Sequence, residues 1–370
     1  MRDLRTGIPR KRDLMSAIFD RTDAFCSRFG LQVPILLGPM AGVPAPQLSI
    51  AVANAGGLGS CGVLLMKPEE ITAWAAEVRS KSNGAFQMNI WIPDPAPKRD
   101  AAAEERVRNF LGSWGPPVPA SAGDTKPPDF AAQCEALLAA APPALSSVMG
   151  LYPPAFVARM KERGIKWIAN VSTVAEARAA EAAGADVIAA QGMEAGGHRG
   201  CFEAAEAERR MVGLFALLPA VVDAVKVPVV ATGGIGDARG VAAALALGAS
   251  AVQLGTAFLR SPEAKIPAAW ANALEGVAPE DTVVSRVFSG RAGRSLATRY
   301  VRAATAPDAP PPAPYPVQRG LTAAMRAEGN KADTVDRIQA WAGQSARLAR
   351  PEPAAEIVRR IWEGTRAILA

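Results

Sequence analysis

The chain has 370 residues, of which 49% are hydrophobic and 21% charged, and its formal net charge is +6. That length suits one α/β barrel with insertions or two ordinary domains, and the composition excludes a disordered or fibrous chain. The cationic excess forms no basic stripe interleaved with aromatics, so it points to small anionic ligands or to solubility and not to nucleic acid.

At the N-terminus, Arg2, Arg5, Arg10, Lys11 and Arg12 cluster, interspersed with Asp3 and Asp13. No apolar core of signal-peptide length follows them, and no apolar span of about 18 residues occurs elsewhere. A cytoplasmic protein without membrane contact is expected. The four cysteines, Cys26, Cys61, Cys134 and Cys201, lie far apart and form no Cys-x-x-Cys pair. Neither a metal site nor a disulfide framework is expected, and reduced thiols fit best.

Short apolar runs recur along the chain at 35–37, 58–60, 86–90, 144–149, 167–169, 187–190, 229–232 and 251–254. Each reads as a buried parallel strand followed by helical periodicity, as in 173–183 and in 237–247, where Asp237 is placed to cap the helix. Strand and helix alternating eight times predicts an α/β fold, a (β/α)8 barrel, over residues 1–275. Two segments interrupt it. Residues 91–127 hold WIPDPAPKRD, a short charged helix and a Pro-rich stretch, too long for a simple βα loop and suited to a lid. Residues 276–350 include APDAPPPAPYP and are expected to form an appended helical subdomain on the substrate side. The amphipathic stretch within 351–370 is expected to pack back on the barrel as a closing helix.

Barrel chemistry gathers at the C-terminal ends of the strands, with phosphate held after strands seven and eight. This chain places Gly233-Gly234-Ile235-Gly236-Asp237 after the seventh run and Gly255-Thr256 after the eighth. Glycines there admit backbone N–H groups to phosphate oxygens, the next helix N-terminus favours negative charge, and the Thr256 hydroxyl adds a donor. The glycines of 56–62, GGLGSCG, open a strand instead of following one, so they fail the context of a dinucleotide fingerprint and an FMN-type phosphate is favoured.

His198, the one histidine of the chain, follows the sixth run within QGMEAGGHRG. Gly196 and Gly197 leave room for a flat ligand, over which the imidazole can hydrogen-bond or exchange a proton with a substrate. Capping of the loop or the next helix is the competing role for His198. Glu194 is placed to orient the loop or the histidine, or to face solvent. Gln191, Gln253 and Asn89 are polar residues in apolar strands, to be satisfied either by the edges of a heterocycle or by bonds between strands.

Together, GPMAGV (38–43), AGGLGSCG (55–62), FQMNIW (86–91), AAQGMEAGGHRG (189–200), ATGGIGDARG (231–240), VQLGTAFLRS (252–261) and the closing WAGQSARLARPEPAAEIVRRIW resemble the nitronate monooxygenase family, formerly called 2-nitropropane dioxygenases. The resemblance implies an FMN-containing barrel that oxidises alkyl nitronates such as propionate 3-nitronate with O2 to a carbonyl compound and nitrite, without a metal. It implies that Asn89, Gln191, Gly196, Gly233, Gln253, Leu254, Gly255 and Thr256 contact FMN, with Gly234 in the same phosphate loop and a backbone contact from Met40. His198 matches the family's histidine beside the substrate. Expected partners are the anionic substrate and O2, with homodimer formation left open. The run ALSSVMG and the long 91–127 insertion depart from the family's pattern and put the shape of the substrate pocket in question. Two alternatives stand beside this reading: an NADH-dependent FMN enoyl-acyl-carrier-protein reductase, whose motif is usually GGHIG where this chain has GGHRG, and a flavin-binding barrel without turnover.

Overall fold

The computed structural model describes residues 11–43 and 45–370, so Arg2, Arg5, Arg10 and Asp3 lie outside the described residues. Eight parallel strands form the barrel: β1 (Ile35–Leu37), β2 (Gly59–Gly62), β3 (Phe86–Trp91), β4 (Ala144–Val148), β5 (Lys166–Val171), β6 (Val187–Gln191), β7 (Val229–Thr232) and β8 (Ala251–Leu254). They pair in the order β1-β8-β7-β6-β5-β4-β3-β2. A parallel bridge between Leu36 and Leu58 brings the two edges together, with Leu58 N donating to Ile35 O at 3.0 Å and Leu37 N to Leu58 O at 2.8 Å. The glycines of 56–62 serve this closure. A Cβ on Gly57 would lie 2.6 Å from Ile35 O, so only glycine lets the edges meet.

The expected strands are all present, three with the expected bounds and the others differing by a residue or two at an end. In β2 the pairing with β3 starts at Gly59 while Leu58 makes the bridge, and β5 extends beyond 167–169 at both ends. The helix Lys11–Phe29, not anticipated from sequence, closes the barrel floor. Its Phe25 and Phe29 join Leu36, Leu58, Ile168, Val187 and Val230 in one apolar cluster at the N-terminal ends of the strands. Arg21 anchors this helix by donating to Leu245 O and Ala249 O at 2.6 and 3.0 Å. At the other end of the chain, the helix Ala354–Leu369 buries Ile357, Val358 and Ile361 at helical spacing. It lies against Ala238–Ala246, where a Cβ on Gly364 would meet Ala238 at 2.9 Å. No helix among the described residues is long and apolar enough to cross a membrane.

The two interruptions form one body over the C-terminal mouth of the barrel. Val107 and Leu111 of the helix Ala101–Leu111 share a core with Phe288, Tyr300, Val317, Leu321 and Met325. The 276–350 segment, expected to be helical, also carries an antiparallel hairpin, Thr282–Ser285 with Gly293–Leu296, beside the helices Arg299–Ala304, Val317–Leu321 and Ala323–Lys331. The hairpin continues into a third strand, Gly197–His198, so the histidine loop is held by a sheet that its own neighbourhood in sequence does not contain.

One ion pair bolts the two interruptions together. Arg291, 1% exposed, donates from Nε and Nη2 to the Asp94 carboxylate at 2.8 and 2.7 Å and from Nη1 to Cys201 O at 3.1 Å. Removing one partner of such a pair leaves a buried charge uncompensated. Asp94→Ala is therefore expected to destabilise the fold by about 3 kcal/mol, read as a lowered denaturation midpoint; a midpoint equal to that of the unsubstituted protein would show that the pair does not hold these segments.

Candidate active site

A cavity of about 450 Å³ opens at the C-terminal ends of the strands, beneath the 276–350 segment. Met40, Asn89, Gln191, Gly196, His198, Gly233, Gly234, Gln253, Gly255 and Thr256 all line it. Leu254 is the exception among the anticipated residues: its side chain is buried in the core and its carbonyl accepts from Gly38 N at 2.7 Å.

The loops after β7 and β8 form one wall. Gly233 and Gly234 have φ of +111° and +68°, a conformation that side chains resist, and the turn they make leaves the N–H groups of Gly234 and Ile235 without an acceptor among the described residues; that of Thr256, in the loop after β8, likewise has none. Such a row of unused amides is an anion cradle. The helix that follows contributes less than expected, because the Asp237 carboxylate already accepts from Arg239 N and Gly240 N at 3.0 and 3.2 Å. The Thr256 hydroxyl oxygen accepts from Gly343 N at 3.0 Å, which leaves its proton free to donate into the cavity.

Polar strand residues form the floor. Gln87 Nε2 donates to Gln253 Oε1 at 3.0 Å, Thr232 Oγ1 to Gln253 O at 3.0 Å, and Asn89 Nδ2 to Ser146 Oγ at 3.0 Å. Bonds between strands thus satisfy one end of each amide, leaving Gln253 Nε2 and Asn89 Oδ1 without protein partners among the described residues. Asn170, which the sequence reading passed over, adds a buried Nδ2 with no partner on the same wall. Gln191 differs. Its Nε2 donates to His198 O at 3.1 Å and its Oε1 accepts from Gly200 N at 2.8 Å, so this amide is spent on the loop.

His198 sits between two indoles, with ring centroids 4.5 Å from Trp91 and 4.7 Å from Trp341, and its Nε2 is 2.7 Å from Ser289 Oγ. Burial first, then the charges of Arg319 and Arg291, push its pKa down to about 3. Although an edge of the ring reaches the cavity, the indoles exclude the water that would stabilise an imidazolium, so His198 is neutral at pH 7. The neighbouring glycines have separate reasons to be glycine. Gly197 has φ +77° with open space beside it, whereas a Cβ on Gly196 would lie 2.5 Å from Gly343 N. Gly196 therefore admits the 341–344 strap while its backbone lines the cavity. Glu194 serves neither His198 nor solvent: its carboxylate accepts from Leu214 N at 2.8 and 3.1 Å, capping the helix Leu214–Ala224.

Two cations complete the site. Arg319 and Arg326 line the cavity, and among the described residues no carboxylate pairs with either. Arg326 donates only to neutral groups, Thr322 Oγ1 at 3.2 Å and Arg319 O at 2.9 Å, with Gln339 Oε1 at 3.5 Å. Burial lowers the pKa of both guanidiniums, that of Arg326 to about 10 with help from Arg319. Gln339 Nε2, also on the cavity wall, is buried without a partner. Two desolvated positive charges with an unused amide beside them form a site for an anion. Sequence reasoning missed these arginines; their spacing of two helical turns in QRGLTAAMRAEGN was the available signal.

Comparison with known proteins agrees with this geometry. The family described as nitronate monooxygenase matches residues 24–364. A nitronate monooxygenase of Paraburkholderia phytofirmans is 39% identical over 342 residues, covering 90% of this chain and 92% of its own length. The solved structure of nitroalkane oxidase from Streptomyces ansochromogenes superposes with a TM-score of 0.83 at 34% identity, covering 94% of this chain and 100% of that one. FabK from Thermotoga maritima superposes with a TM-score of 0.72 at 28% identity, covering 94% and 96%.

Proposed function

Because the chain belongs to the nitronate monooxygenase family, we propose that it is an FMN-dependent enzyme that oxidises alkyl nitronates, in particular those carrying a carboxylate, with O2 to a carbonyl compound and nitrite. The observation that carries the substrate assignment is the pair Arg319 and Arg326, desolvated and without an acid, on the wall of the cavity that also holds a neutral His198. When bound, a flavin would supply redox chemistry, as the acceptor of the nitronate's electrons with O2 as the final oxidant.

The residues present suit such a group. The free N–H groups of Gly234, Ile235 and Thr256 would hold its phosphate, and Gln253, Asn89 and Asn170 would meet the polar edges of its ring system. Met40, 3.5 Å from the Cβ position of Gly255, would border the same space. The substrate is an anion already, so no proton need be removed from a nitronate. Ser289 takes Nε2 of His198, which leaves Nδ1 for the substrate: in the tautomer that carries its proton there it donates a hydrogen bond to the nitronate, and in the other it accepts the α-proton of a neutral nitroalkane. Trp91 and Trp341 keep water from the ring.

On this reading the barrel, up to residue 275, binds the cofactor under the 91–127 insertion, residues 276–350 supply the substrate side, and the closing helix braces the barrel. The four cysteines are buried and free, and burial pushes Cys26 and Cys134 up to about 12, which suits a reducing, cytoplasmic setting.

Anaerobic mixing of the flavin-loaded protein tests the assignment. Propionate 3-nitronate is expected to bleach the flavin rapidly and NADH to leave it oxidised. Rapid bleaching by NADH with none by the nitronate would replace nitronate oxidation by the reductase alternative, and bleaching by neither would leave a binding protein.

A further inference from the structure

Arg199, the residue after the histidine, is 5% exposed, and among the described residues it forms no ion pair. Its guanidinium instead donates to three backbone carbonyls from three different segments. Nη1 reaches Gln191 O, at the end of β6, at 2.6 Å; Nη2 reaches Ser172 O, just past β5, and Arg210 O, in the loop before the helix Leu214–Ala224, both at 3.3 Å. The carboxylate with the largest influence on it, Glu176, is occupied by Ser172 N, Ser172 Oγ and Phe202 N at 2.7, 2.9 and 2.9 Å.

The bonding is reciprocal. Gln191 grips the backbone on both sides of Arg199 with its side chain, at His198 O and Gly200 N, while Arg199 grips the Gln191 backbone with its own. A buried unpaired cation is costly, and a lysine could not reach three carbonyls from one planar fork. The one thing the arrangement holds that a loop does not otherwise need is the position of the residue between them.

We infer that Arg199 is a positioning residue for His198: its guanidinium and the Gln191 amide lock the 191–200 turn from both sides and so set the imidazole against the substrate. The inference rests on the reading of His198 as the substrate-facing group. The proton affinity of the imidazole is set by burial and then by the charges of Arg319 and Arg291, so the clamp acts through geometry.

His198 being the one histidine of the chain, selective ¹⁵N labelling of histidine in the tag-free holoprotein gives signals from a single imidazole, whether or not any substrate turns over. In the unsubstituted protein one neutral tautomer is expected, with shifts constant from about pH 5 to 8, since folding holds the ring well below the ordinary value of about 6.5. In Arg199→Gln the two ring nitrogens are expected to average and to titrate within that range. Turnover of the nitronate should fall about 100-fold in kcat with little change in KM. Arg199→Lys, which keeps charge without the fork, should show the same change, as should Gln191→Leu, which removes the other half of the clamp and stands in if Arg199→Gln does not fold. Imidazole signals unchanged in these variants would overturn the inference, even with activity lost. Failure of nitronate to bleach the flavin would overturn the proposed reaction and leave these signals to be read independently.

Discussion

Replacing His198 by Ala is expected to lower kcat/KM for alkyl nitronates by about 10²- to 10⁴-fold, the range for a positioned acid, base or hydrogen-bond donor. Neutral nitroalkanes, if turned over by the unsubstituted protein, should be lost more completely, because they need a proton acceptor as well as a donor. Both effects are read by steady-state oxygen consumption. Unchanged turnover at saturating substrate would remove the histidine from the reaction.

The pH dependence follows from the same site. With the imidazole held neutral down to about 3, the activity should show no histidine inflection between about pH 5 and 8. Stability carries the complementary sign. Above about 6.5 the ring is neutral in both folded and unfolded chains and contributes nothing to pH dependence. As pH falls from there toward about 3, the unfolded chain takes up a proton that the folded chain refuses, so stability is lost over that window. His198→Asn should therefore lose less of its thermal midpoint between pH 7 and 5 than the unsubstituted protein, and an equal loss in both would show that the imidazole is not desolvated.

The second large effect is expected at the arginine pair. Each charge-assisted hydrogen bond to a carboxylate is worth roughly 1.5–3 kcal/mol, so Arg319→Ala and Arg326→Ala should each raise KM for propionate 3-nitronate by about 10- to 100-fold. For ethyl nitronate, which has no second anion, the change should be small. Removing Arg326 also relieves Arg319 of a like charge in a desolvated place, so this variant is expected to fold at least as stably as the unsubstituted protein. Equal losses on both substrates would place the arginines at the nitronate itself and not at a tail. A strongly lowered midpoint would make them structural.

Much of this was legible in the chain. A parallel strand buried on both faces is a short continuous apolar run, and in this barrel six of the eight runs are followed directly by a glycine or polar residue, the last two among them, so the strands and the loops after β7 and β8 could be read directly. The hairpin of 282–296 could not. Its strands, TVVS and GRSL, are four residues each and carry no alternation that separates them from a loop. Nor did Lys11–Phe29 announce its role, since what makes its phenylalanines a barrel floor is the ring of strand ends that receives them.

The roles of individual polar residues show the same division. Gln191 and Gly196 look like ligand contacts because they stand at a strand end in a glycine loop, yet Gln191 is taken up by the turn around Arg199, and Gly196 makes room for Gly343. Asp237 could be read correctly because a cap bonds to residues two and three positions away. By itself the sequence determined the barrel, the end at which its chemistry lies, the cradle of loop amides and the single imidazole, all consequences of local patterning and short-range geometry. The tertiary structure alone decided which cavity groups keep an unused polar atom, Asn170 Nδ2 and Gln339 Nε2, and that Arg319 and Arg326 have no carboxylate beside them among the described residues. Whether a polar group is free depends on the partners that distant segments bring to it, and no local pattern records those partners.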